Sequence, residues 1–166
     1  MNIVKLLIWS VLVQVFILNN IQFNGYINPY YYIIFIISSP NKKSKSACLI
    51  WGFLTGMIID FFSESYGIHA FSSVLIAYLQ PFFYSSKSSY NKISDDGTNI
   101  KTMALDFFIS RTIAIVVIHH FTLFILEDFS LINVIAVISK TIASSIFTII
   151  LLTLHKSLIS MQKNEV

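Results

Sequence analysis

The sequence predicts an all-α integral membrane protein, a six-helix bundle in one domain spanning residues 1–166, and three observations lead there. First, 55% of the residues are hydrophobic and only 11% are charged, with a mean hydropathy of +0.74, whereas soluble domains carry about 25% charged residues. Second, the apolar residues gather into runs of helix length separated by short polar breaks. Third, the Lys and Arg residues concentrate in alternate breaks. A bilayer-spanning helix needs about 20 apolar residues for a hydrocarbon core of about 30 Å, so this length accommodates six spans and no soluble domain.

The expected spans cover residues 3–21, 27–39, 47–62, 68–84, 103–126 and 131–154, with a long polar loop over 85–102. The first begins with Lys5 and an apolar run, as a signal peptide does. Polar "NNIQFNG" follows it rather than a small-x-small cleavage site, so an uncleaved span is expected. The second is the shortest and is bracketed by Pro29 and Pro40. At 1.5 Å per residue it rises only about 20 Å, so it thins the bilayer, starts earlier or is re-entrant. Its neighbours Tyr26, Tyr30, Tyr31 and Tyr32 suit an outer aromatic belt.

Orientation follows from the positive-inside rule. With the N-terminus inside, the cytoplasmic segments hold Lys5, Lys42, Lys43, Lys45, Lys87, Lys92, Lys101, Lys156 and Lys163, leaving only Arg111 and Lys140 within spans. The outer loops hold Glu64, Glu127 and Asp128 instead. An N-in, C-in topology accounts for every loop at once.

Inside the spans, polar and small residues carry the information. Cys48, Gly52, Gly56 and Asp60 recur every four residues and form one stripe on the third helix. Small residues let backbones approach where lipid gives no hydrophobic drive for association. The stripe therefore receives either another helix of this chain or a partner's helix. Asp60 near the end of that helix and His69 at the start of the next fall in one layer across the turn "SESYG". A hydrogen bond between them would pin the hairpin; proton transfer or ligand binding is the functional alternative. Lys140, read as mid-span, needs an anion or carbonyls, and Asp60 is such an anion if the third and sixth helices touch. Arg111 either pairs with Asp106 or snorkels to the interface. His119 and His120 are adjacent and point to different sides, which suits structural histidines better than a metal site.

No catalytic residues are expected. H-E-x-x-H, Gly-x-Ser-x-Gly and P-loop patterns are all missing. The lone Cys48 supports neither a disulfide nor a thiolate metal site, and the scattered lysines do not build a nucleic-acid face. No cofactor is expected.

The hairpin "GFLTGMIIDFFSESYGIHAFSSVLIAYLQP" resembles that of the rod shape-determining MreD family: Gly-x-x-x-Asp late in one helix, a turn with Gly, His-Ala, then Ala-Tyr-Leu and a proline. Upstream, "NPYYYIIFIISSP" is similar to the second span of that family's bacteroidete-type members. The resemblance implies a six-helix fold like the S components of energy-coupling-factor vitamin transporters. It also implies a non-enzymatic scaffold of the bacterial cytoplasmic membrane, bound to MreC, to RodA and its penicillin-binding transpeptidase, and through them to MreB filaments. On that resemblance Gly56, Asp60, Gly67, His69 and Ala70 form the family's hairpin motif; Arg111 and Lys140 have no counterpart in it. The alternative is a vitamin-transporter S component, which docks through Ala-x-x-x-Ala in a first helix that here contains no alanine. A proton relay through Asp60, His69 and Lys140 is a third reading, opposed by the lack of an inverted repeat.

Overall fold

The computed structural model describes residues 3–21, 27–38, 45–85, 104–129 and 133–161. Within them the chain is helical: α1 (Ile3–Phe16), a 3-10 turn (Leu18–Asn20), α2 (Ile33–Ser38), α3 (Lys45–Ser63), α4 (Ile68–Ser85), α5 (Leu105–Asp128) and α6 (Val134–Met161). Three of these, α3, α5 and α6, are long and apolar enough to cross a membrane; α1 and α4 are shorter apolar helices. The loop expected over 85–102 apart from Ser85, which ends α4, the "NKKSK" break apart from Lys45, and Tyr26 fall outside the described residues.

The side chains sort as in a protein whose solvent is lipid. Along α3, Ile50, Phe53, Leu54, Met57, Ile58, Phe61 and Phe62 are exposed, while Cys48, Gly52, Thr55, Gly56 and Asp60 are buried. On α6, Thr141, Ser144, Ser145 and Thr148 face inward, and Ile135, Ile138, Ile142, Ile146 and Ile150 face outward. Exposed aliphatic surface costs about 25 cal/mol per Å² in water and little in hydrocarbon.

Helices α3 and α4 form a hairpin, α4 packs on α5, and α5 forms a second hairpin with α6. At the C-terminal end of α1, Asn19 donates to Ser63 Oγ at 3.0 Å, which places the C-terminal ends of α1 and α3 at one level. We call this the Asp60 end. Lys5 and Lys45 mark the opposite end. Glu64, Glu127 and Asp128 lie at the Asp60 end, because α5 runs toward it.

Since α1 and α3 run the same way, the intervening chain must return from one end to the other, and the expected helix over 27–39 is replaced by something else. Only Ile33–Ser38 is helical. Residues 28–32 form no regular element. Irregular backbone rises up to about 3.3 Å per residue, against 1.5 Å in a helix, so this mixed segment reaches farther than twelve helical residues would. It is buried throughout from Tyr30 to Ile37. Buried non-helical backbone must find its hydrogen bonds in the surrounding protein, and here side chains of α1 and α6 supply them. Tyr31 N–H donates to Gln14 Oε1 at 2.7 Å, Tyr30 N–H to Thr148 Oγ1 at 3.0 Å and Asn28 N–H to Ser144 Oγ at 3.1 Å. The Pro29 carbonyl accepts from Gln14 Nε2 at 3.2 Å. Pro29 also biases Asn28 away from helical backbone. The segment thus bridges α1 and α6.

Tyr30, Tyr31 and Tyr32 are buried in the bundle, which corrects their reading as an aromatic belt. Among the described residues Phe16, Phe61, Phe62, Tyr66, Phe71 and Phe129 are exposed rings at the Asp60 end. The sixth helix also runs past the expected end at 154, so Lys156 is a buried helix residue rather than part of a tail.

Candidate functional site: a capped hairpin and a histidine–tyrosine hub

The hairpin begins with the small-residue stripe. A Cβ built on Gly56 would lie 2.4 Å from Ala70 Cα and 2.6 Å from the His69 carbonyl oxygen, so only glycine fits. One turn earlier, a Cβ on Gly52 would lie 3.0 Å from Ala77 Cβ and 3.1 Å from the Ser73 carbonyl oxygen. The Gly52 and Gly56 face is therefore filled by α4 of the same chain. Cys48 is buried on this side of α3, toward the Lys45 end.

This close approach carries Asp60 to the N-terminus of α4. The first N–H groups of a helix lack intrahelical acceptors, and the helix end attracts negative charge. Asp60 Oδ2 accepts from Ala70 N–H at 2.8 Å, and Oδ1 accepts from His69 N–H at 3.0 Å and Ser65 Oγ at 2.6 Å. His69 Nδ1 lies 3.1 Å from the same Oδ1 and 2.7 Å from Ser65 Oγ. Asp60 thus caps α4 from the neighbouring helix. With the Ser65 proton given to Asp60, the proton on His69 belongs on Nδ1 and the Nε2 lone pair is left for another partner. The turn between them holds Glu64 at φ 53°, Tyr66 at φ 52° and Gly67 at φ 94°; for the first two this left-handed backbone costs about 1–2 kcal/mol each.

From His69 the polar interior continues into the broken segment. The Tyr30 ring lies 5.2 Å from His69, 5.8 Å from His119 and 5.2 Å from His120, between ring centroids. Tyr32 hydroxyl meets His119 Nε2 at 2.7 Å, and Tyr31 hydroxyl meets His155 Nδ1 at 2.7 Å. His120 Nδ1 lies 2.8 Å from the Val116 carbonyl, and its Nε2 lies 3.2 Å from Thr148 Oγ1. This assigns His120 as the Nδ1–H tautomer, accepting from the threonine that itself caps Tyr30 N–H. All four histidines of the chain contact the three consecutive tyrosines. His119 and His120 do point different ways, yet both border Tyr30. Buried without a hydrogen-bond partner are His69 Nε2, His119 Nδ1 and Asn28 Oδ1. Among the described residues no group of three or more His, Cys, Asp or Glu is placed to hold a metal ion.

The remaining charges lie elsewhere. Arg111 is buried and neither snorkels nor forms the expected pair with Asp106, which is exposed; its Nη2 donates to the Ile37 carbonyl at 2.6 Å. Gln80 Nε2 donates to that same oxygen at 3.2 Å. A cation suits this carbonyl at the C-terminal end of α2. Lys140 sits in the second turn of α6 rather than mid-helix, with Nζ 6.0 Å from the Phe124 ring centroid, and Asp60 is engaged by its own hairpin instead. Sequence reasoning missed Gln14, Ser144, Thr148 and Gln80, and it read Tyr30 and Tyr32 as a belt rather than as hub residues. Two signals pointed to some of them: a single Gln inside "VLVQVF", and Ser or Thr recurring at helical spacing in α6.

Comparison of the chain with known protein families, with curated proteins and with solved structures finds no match.

Proposed function

We propose that this chain is a non-enzymatic scaffold of the bacterial cytoplasmic membrane, of the MreD kind, with six membrane passes and both termini inside. In this reading it binds the single-span protein MreC and works with RodA and its transpeptidase, joining MreB filaments to peptidoglycan synthesis. The observation that carries the proposal is the hairpin. Gly56, Asp60, Gly67, His69 and Ala70, the positions that resemble the family motif, act as one closed unit of packing, turn and cap. Ser65 and Asp60 meet the same nitrogen of His69. A nucleophilic triad needs them on opposite nitrogens, so this group supports a structural role. The charge distribution supports the orientation: Lys5 and Lys45 lie at one end of the bundle, and Glu64, Glu127 and Asp128 at the other.

A second reading, a solute-binding S component, is favoured by one observation: the buried nitrogens His69 Nε2 and His119 Nδ1 have no partner in the hub. The first helix, "IVKLLIWSVLVQVF", lacks the alanines expected for coupling. Purification of the tagged chain from native membranes in mild detergent, followed by mass spectrometry, separates the two. MreC with RodA and its transpeptidase is the expected result. An ATPase and a coupling subunit would overturn the scaffold reading.

A further inference from the structure

The tip of the α3–α4 hairpin carries four aromatic rings that the bundle does not use. Phe61 and Phe62 end α3, Tyr66 sits in the turn and Phe71 opens α4; Phe61 is 80% exposed and Tyr66 98%. The turn holds Tyr66 outward at a backbone cost, with φ at 52° where a glycine would be relaxed. These rings continue the exposed apolar strip of α3, through Met57 and Phe53, on a helix long enough to cross a membrane. The strip ends at the tip, and the one charge in the turn is the exposed Glu64. On the membrane-spanning reading proposed above, on which this inference rests, hydrocarbon gives way to water along these few residues. Rings that join an apolar body to a polar edge are enriched at that boundary.

We propose that the α3–α4 tip is an interfacial anchor whose partner is lipid. Tyr66 lies at headgroup level, and Phe61, Phe62 and Phe71 lie among the adjoining acyl segments. The anchor fixes the depth of the Asp60 cap one turn away and shields its hydrogen bonds from water.

The test places one tryptophan at a time at Tyr66, Phe62 or Phe71 in the full chain, with Trp9 and Trp51 replaced by Phe. The protein is reconstituted in phosphatidylcholine vesicles containing brominated acyl chains. Blue-shifted emission is expected at all three sites, with a loss of accessibility to aqueous iodide relative to the unfolded chain. Bromolipid quenching should rise from position 66 to 62 to 71. A second measurement leaves the tryptophans in place: a nitroxide at Tyr66→Cys, in a Cys48→Ser background, should show by oxygen and nickel accessibility that it sits within the interface. Water-like emission at position 66, free iodide quenching and no bromolipid effect would overturn the anchor. So would shielding seen in native membranes and lost in pure lipid, which would identify a protein as the occupant.

Discussion

At the Asp60 end of the bundle the Asp60 carboxylate, the hydroxyls of Ser65, Ser73, Ser144 and Thr148 and three histidines gather around the irregular segment and Tyr32. At the opposite end, Ile33, Ile34, Ile37, Ile76, Phe108 and Ile115 are packed without exposure, and one carbonyl, that of Ile37, takes the nearby charge of Arg111. The segment over 27–38 passes through both halves, irregular in the polar half and helical in the apolar one. The reason is where hydrogen bonds are to be found. A helix satisfies its own backbone and needs only shape from its neighbours, whereas irregular backbone must borrow donors and acceptors. Gln14, Ser144 and Thr148 lend them in one half only. Buried polar residues of the other half, Gln80, Arg111, Thr112 and Lys156, stand on regular helices, and of these Gln80 and Arg111 serve the one carbonyl at the end of α2.

The largest effect expected from breaking this contrast is at Gly56. Gly56→Leu forces apart two backbones whose Cβ-to-Cα separation would be 2.4 Å, and α3 and α4 cannot stay in register. It should abolish recovery of monodisperse protein in detergent. Gly52→Ala meets contacts of 3.0 and 3.1 Å and should only lower the melting temperature, since modest overpacking costs about 1–3 kcal/mol. Equal tolerance at both positions would mean that the hairpin is looser than described.

Next comes Asp60. Asp60→Ala leaves the N–H groups of His69 and Ala70 without their acceptor in a buried layer, and each buried donor so stranded costs about 1–3 kcal/mol. Asp60→Asn keeps one oxygen but turns an NH₂ toward a donor, so it should fall between wild type and Asp60→Ala in a detergent melt. An Asp60→Asn protein as stable as wild type would show that the carboxylate charge contributes nothing to the cap.

How far these features were legible in the sequence follows the same division. Asp60 and His69 are nine residues apart across one short turn, so helix length alone brings them to one layer. Boundaries of the long helices are visible as apolar runs because each helix is its own hydrogen-bonding unit. The segment over 27–38 was not legible in that way. Its apolar run has the composition of a helix, and its irregular half depends on α1 and α6, with Thr148 lying 118 residues from the Tyr30 it serves. Tyrosines suit an interface and a buried hydrogen-bonded site equally well, so "YYY" alone does not separate belt from hub. Arg111 was opaque for a related reason. Its acceptor is a backbone carbonyl 74 residues away, and no side-chain spacing encodes that.

In the apolar half the Ile37 carbonyl has two side-chain donors among the described residues, so the loss divides. Arg111→Met removes a charge-assisted bond and should cost about 1–3 kcal/mol, read as a fall in melting temperature. Gln80→Leu should cost about 0.5–1.5 kcal/mol, and the double variant should lose more than the sum, because only then is the carbonyl stranded. Additive losses would assign Arg111 its main role elsewhere.

The smallest effect should come from the hub. Tyr32→Phe removes one hydroxyl and leaves the ring packing against His69 and His119, and His119→Phe keeps an aromatic ring at the same place. Each breaks the 2.7 Å bond between Tyr32 hydroxyl and His119 Nε2, and each should cost about 0.5–1.5 kcal/mol. The two differ in what they strand. Tyr32→Phe leaves a buried imidazole with neither nitrogen bonded, since His119 Nδ1 already lacks a partner, whereas His119→Phe leaves one hydroxyl that can turn toward Ser73. Tyr32→Phe should therefore be the worse of the two, and the double variant should recover part of its loss by removing both polar groups together. A double-mutant cycle on melting temperature measures this directly. Purely additive losses would mean that ring packing, and not hydrogen bonding, organises the polar half, and the contrast between the two ends would then rest on the Asp60 cap alone.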